Sequence, residues 1–160
     1  MTTITLVTTS SDATEQVGAT LGAQLQPGDV VALIGDLGAG KTYLTRGIAR
    51  GLGIEEPVTS PTFILVAEYT TAAGFTLYHA DCYRLDETRG AAEALAIGLD
   101  EMLNGGGMAV VEWADRIAAL LPADHLRVEL AVLGDTRRAL VFTAHGARAA
   151  TLLNAIRREQ

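Results

Sequence analysis

Residues 29–50, DVVALIGDLGAGKTYLTRGIAR, constrain this chain more than any other stretch. The stretch opens with a β-branched apolar run, residues 30–34, of the kind found in strands buried on both faces. Gly35, Asp36, Leu37, Gly38, Ala39, Gly40, Lys41 and Thr42 follow, and they satisfy the pattern G-x-x-x-x-G-K-S/T at each fixed position. Leu44, Ile48 and Leu52 then recur at helical spacing. Strand, glycine loop and helix in this order predict a phosphate-binding loop in an α/β domain. Glycines let the backbone curl until successive N–H groups point into one concavity, and that concavity lies at the positive end of the following helix. Polyphosphate suits it. Lys41 is expected to reach the β- and γ-phosphates, and the Thr42 hydroxyl to bind Mg²⁺. Lys41 is also the only lysine, against eleven arginines. A chain that otherwise does without lysine keeps one where a compact ammonium is wanted.

At 160 residues the chain is expected to form one domain, residues 1–160, able to bury roughly 68–70% of its unfolded surface. None of its apolar runs is long enough to span a bilayer. No basic N-terminal segment leads into an apolar core, so no secretory signal is read. Cys82 is the single cysteine and cannot form an internal disulfide. These features predict a cytoplasmic protein. The formal net charge of −7 lacks the basic footprint of a nucleic-acid-binding domain, so unaided binding to RNA or DNA is not expected.

Along the chain, residues 3–7 alternate as a short strand. Asp12 and Glu15 resemble a helix-start capping pair, and Val17, Leu21 and Leu25 carry that helix toward Pro27 and Gly28. Gly51 and Gly53 close the loop helix. Residues 63–70 and 75–80 read as strands joined by a short turn, hence an antiparallel hairpin. That hairpin makes a mixed sheet the expectation. Residues 87–103 read as helical with a break at Gly98, and 108–111 as a buried strand. Residues 114–121 read as a short helix, 125–133 and 137–144 as a second hairpin, and 146–158 as a terminal helix.

A nucleoside triphosphatase needs a second acid for Mg²⁺ and its water, usually at the end of an apolar strand beside the loop. Two strands end in one: Asp81 after residues 77–80, and Glu112 after residues 108–111. Spacing leaves open which touches the metal. Ser60-Pro61-Thr62-Phe63 lies where switch-type triphosphatases carry a hydroxyl that senses the γ-phosphate, and an ordinary Ser-Pro turn fits there too. Trp113, the only tryptophan, suits either the core or a partner surface. His79, His125 and His145 show no metal-ligand spacing and read as strand or loop residues. The guanine-specific Asn-Lys-x-Asp motif would need a second lysine and is absent.

Taken together, these blocks resemble the TsaE family, also called YjeE, the bacterial ATPases required for threonylcarbamoyladenosine formation on tRNA. The resemblance rests on Gly35 to Thr42, on Ser60-Pro61-Thr62-Phe63, on His79-Ala80-Asp81-Cys82-Tyr83-Arg84-Leu85 and on Val111-Glu112-Trp113. It implies a phosphate-loop fold with a mixed, roughly seven-stranded sheet and helices on both faces. It implies ATP and Mg²⁺ as ligands, with Lys41 on phosphate, Thr42 and Glu112 on the metal, and Asp81 supporting water or metal. Ser60 and Thr62 would form a switch. Nucleotide would also meet residues 10–12, Ser11 among them, and a basic position near the last hairpin, matched here to Arg137. The implied partners are TsaD and TsaB, with tRNA met only through that complex. A small-molecule kinase and a non-hydrolysing nucleotide-dependent module are the competing readings of the same loop.

Overall fold

A computed structural model describes residues 2–59 and 66–159. The first elements are β1 (Thr3–Thr8), α1 (Ser11–Gly22), β2 (Val30–Ile34) and α2 (Lys41–Gly51). Next come β3 (Val66–Thr70), β4 (Thr76–Asp81), α3 (Gly90–Ala96), α4 (Leu99–Asn104) and β5 (Met108–Glu112). A 3₁₀ segment (Ala114–Leu120), β6 (His125–Val132), β7 (Arg138–His145) and α5 (Ala147–Arg158) complete the chain.

The strands form one seven-stranded sheet in the order β1-β7-β6-β2-β5-β4-β3. Its centre, β6-β2-β5-β4, is parallel, and antiparallel partners close both sides: β3 beside β4, and β7 then β1 beside β6. The mixed sheet predicted from the hairpin is present.

Alternation along the central strands splits the core. Val31 and Leu33 of β2, Leu77 of β4 and Val110 of β5 face α1, α2 and α5, whose Leu21, Leu44, Ile48 and Leu153 cover them. Val30, Ala32, Ala80, Ala109 and Val111 face the other way, onto Ala94, Leu99, Leu103 and Ile117. Helices therefore cover both faces, and β2, buried on each, is apolar throughout.

Several boundaries differ from the sequence reading. The N-cap of α1 is Ser10, not Asp12: Ser10 has extended backbone and its Oγ accepts from Ala13 N–H, which leaves Asp12 inside the first turn. The helix stops at Gly22, short of Pro27, because Gln24 and Leu25 turn back to the carbonyls of Leu21 and Gly22 and Asp29 accepts the Gln26 N–H. The short helix expected over 114–121 is a 3₁₀ segment, Ala114–Leu120, kinked at Ile117. The break expected at Gly98 separates α3 from α4, at φ +79°.

Helices α1 and α2 meet at backbone distance. A Cβ placed on Gly47 would lie 2.0 Å from Glu15 O, and one on Gly22 would lie 2.1 Å from Ile48 O. Backbone cannot yield as a flexible side chain can, so Gly47→Ala is expected to lower stability by about 2–3 kcal/mol despite alanine's ~1 kcal/mol helix preference. Urea unfolding measures this, and an unchanged midpoint would show that the close packing contributes nothing.

Candidate active site

The loop between β2 and α2 lies at the carboxyl end of the parallel strands, where open α/β sheets bind ligands. Gly40 adopts φ +104° as it hands the chain to α2. Gly38 adopts φ +80°, and among the described residues no atom beyond its chain neighbours lies within 4 Å of where a Cβ would stand on it, so the loop is open there. Lys41 is the first residue of α2 and is buried. Its Nζ donates to Gly35 O at 2.5 Å and to Asp36 O at 2.8 Å, and it sits 4.4 Å from the centre of the Trp113 ring. Burial pushes the Lys41 pKa down, opposed by the charges of Glu112, Asp81, Asp36 and Asp115.

Strand pairing gathers the acids. Asp81 and Glu112 end adjacent parallel strands and are register partners. Glu112 is buried. Its Oε1 accepts from the Thr42 hydroxyl at 3.3 Å, and its Oε2 lies 2.5 Å from His79 Nε2. Asp81 Oδ1 accepts from Tyr83 N–H. Burial raises the Asp81 pKa above its ordinary value and Glu112 adds to the rise, while the Tyr83 N–H, His79 and Lys41 oppose it.

Trp113 follows Glu112 at φ +58°, the one non-glycine residue with positive φ among the described residues. That turn leaves Glu112 at the strand end and brings the indole across Lys41. Tyr83 packs on the indole at 5.0 Å between ring centres, and Arg116 lies 5.3 Å from the ring while donating to the carbonyls of Tyr83 and Leu85. Cys82, buried beneath this cluster, has its thiol pKa pushed up to about 12 by burial. It remains a poorly nucleophilic thiol at neutral pH.

Two hollows flank the loop and share Gly38, Gly40 and Tyr43. One, of about 340 Å³, is walled by Lys41, Thr42, Asp81, Glu112 and Trp113. The other, of about 320 Å³, is walled by Ser10, Ser11, Thr14, Asp135, Thr136 and Arg138. Ser11, expected to meet nucleotide, is in the wall of this second hollow. The hairpin arginine that reaches the loop is Arg138, whose Nε donates to Gly38 O at 3.3 Å; Arg137 is exposed and stands outside this wall. Ser60 and Thr62 lie outside the described residues.

The oxygen donors of Thr42, Glu112 and Asp81 suit Mg²⁺, which keeps several waters and takes few protein ligands. No group of three or more His, Cys, Asp or Glu side chains gathers as a metal cage among the described residues. Sequence reasoning missed His79, Thr14 and Arg138, while Ser10 falls within the stretch 10–12 that it named. For His79 a signal existed: strand alternation puts it on the same face as Asp81, two residues on.

The family model described as "Threonylcarbamoyl adenosine biosynthesis protein TsaE" matches residues 8–140. The chain belongs to the TsaE family. A Bacillus subtilis relative, described as tRNA threonylcarbamoyladenosine biosynthesis protein TsaE, is 42% identical over 141 residues, 88% of this chain and 85% of its own. A Streptomyces coelicolor TsaE is 40% identical over 141 residues, 85% of this chain and 93% of its own. The crystal structure of Bacillus subtilis YdiB superposes with a TM-score of 0.82 at 36% identity, covering 99% of this chain and 96% of that one. The fold is that of the phosphate-loop nucleoside triphosphatases. No helix among the described residues is long and apolar enough to cross a membrane.

A carboxyl whose pKa is raised on folding holds its proton more tightly in the folded state, so it loses stability as pH rises through the carboxylate range. Asp81→Asn keeps an acceptor for Tyr83 N–H and removes that charge. The variant is expected to unfold at higher urea than the parent at about pH 7, with the gap closing toward about pH 3. Equal midpoints at both pH values would show that Asp81 carries no charging penalty in this site.

Proposed function

We propose that the chain is a Mg²⁺-dependent ATPase that supports threonylcarbamoyl modification of the tRNA adenosine next to the anticodon. It works with TsaD and TsaB and does not transfer the group itself. The observation that carries the reading is the junction of loop and sheet: the Thr42 hydroxyl on Glu112, with Asp81 in register beside it and Lys41 on the loop. Family membership supports the pathway, and the acidic charge suits a protein whose tRNA is held by others.

In this reading the loop N–H groups and the α2 N-terminus hold the phosphates. Lys41 leaves the carbonyls of Gly35 and Asp36 for the β- and γ-phosphate oxygens. Thr42 and Glu112 hold the cation, with Asp81 orienting its water or the attacking one. When bound, Mg²⁺ would supply positive charge to offset that which develops on the transferring phosphoryl group. The hydroxyl-lined hollow of Ser10, Ser11 and Thr14 receives the nucleoside, with Arg138 rather than Arg137 as the basic wall. Ser60 and Thr62 are proposed to sense the γ-phosphate. One domain in the cytoplasm suffices for this role.

Lys41→Ala is expected to weaken ATP binding by about 1.5–3 kcal/mol through loss of a charge-assisted contact, as read by calorimetry. Unchanged affinity would remove Lys41 from the phosphate site. Glu112→Gln is expected to bind ATP and release phosphate at least about 100-fold more slowly. The function itself is tested by phosphate release from ATP by the protein alone, then with TsaB and TsaD, with and without tRNA. Low turnover alone and a clear rise with partners is the expected result. Stable ATP binding with no rise would favour a nucleotide-dependent interaction module, and a phosphorylated metabolite in place of free phosphate would favour a kinase.

A further inference from the structure

We infer that His79 is a positioning residue: its Nε2–H holds one oxygen of Glu112 and thereby turns the other toward Thr42 and the cation. This inference rests on the Mg²⁺–ATP reading of the site. His79 lies on β4 between Leu77 and Asp81, on the face that carries Val110 and Glu112 on β5. It pairs in register with Val110, so its ring reaches diagonally to Glu112. The side chain is fully buried. Nε2 is 2.5 Å from Glu112 Oε2, and Nδ1 is a buried atom with no hydrogen-bond partner among the described residues.

That asymmetry fixes the tautomer. A carboxylate only accepts, so the proton belongs on Nε2 and the bare lone pair on Nδ1. The reverse arrangement would set a lone pair against the carboxylate and bury an unpaired N–H. Leu77 and Val110 show that aliphatic side chains fill this face well. An aliphatic at position 79 would leave no unpaired ring nitrogen, so packing alone does not account for a histidine.

The other contacts of the Glu112 carboxylate are longer. Thr42 Oγ1 is 3.3 Å from Oε1, and Thr45 Oγ1 is 3.5 Å from Oε2. The single hydroxyl proton of Thr45 has a nearer acceptor, Lys41 O at 2.9 Å. His79 is therefore the close donor that pins Oε2. Oε1 is left facing the hydroxyl with which it would share a cation. Partners of this kind orient a metal ligand without touching the metal.

The test compares the parent protein, His79→Leu and His79→Gln by Mn²⁺ titration in the presence of ADP, read by electron paramagnetic resonance. The glutamine amide nitrogen can stand where Nε2 stands; leucine keeps bulk and loses the donor. His79→Leu is expected to bind Mn²⁺ about 10–100-fold more weakly while ADP affinity in EDTA changes less than about twofold, and His79→Gln to recover most of the loss. Parent-like Mn²⁺ binding by His79→Leu overturns the inference. So do leucine and glutamine variants that are equally weak with ADP binding intact. The imidazole nitrogens of the ¹⁵N-labelled parent give a reading that needs no variant: a ring carrying a proton on Nε2 supports the inference and a ring protonated only on Nδ1 overturns it, even if His79→Leu does not fold. A parent protein that binds no Mn²⁺ with ADP would overturn the nucleotide reading and this inference together, which separates the two failures.

Discussion

The close packing of α1 on α2 decides where the N-terminus of α2 points, and the site depends on that direction. Gly22 and Gly47 bring the two backbones into contact, while Leu44 and Ile48 seat α2 on the sheet between them and β2. With the helix so held, Thr42 faces the end of β5 and Lys41 curls back over the loop. A phosphate site made mostly of backbone N–H groups has no side chains to adjust. Its accuracy comes from rigid neighbours.

A second constraint is electrostatic. One buried ammonium and two partly or fully buried carboxylates share a small volume in a chain with formal net charge −7. Lys41 is disfavoured by burial, and Asp81 is disfavoured by burial and by Glu112. The site is thus set up at some expense to the ligand-free fold, and the proposed polyphosphate with its cation would supply charges of both signs.

Much of this was legible in the sequence, for identifiable reasons. The loop announces itself because its chemistry needs glycine, lysine and a hydroxyl at fixed spacing. Asp81 and Glu112 were visible because each interrupts an apolar strand at its end. What could not be read needed pairing information. His79 and Glu112 are 33 residues apart, and only the β4–β5 register makes them neighbours. Arg137 and Arg138 differ by one position. Strand period gives opposite directions to the two, but the turn that sets the phase lies in Gly134–Thr136 and sequence did not fix it. Asp12 reads as the cap from sequence, and only the backbone shows that Ser10 is the extended residue before the helix.

The lone indole has a consequence of another kind. Trp113 lies against the Lys41 ammonium, and Tyr83 packs on the same indole. Any event that draws the ammonium away from the ring changes the field at the one tryptophan of the chain. Tryptophan emission from this protein therefore comes from a single indole at a single place, and its colour and intensity respond to the position of that ammonium. The same contact that shields the lysine makes its movement observable by light without any added label.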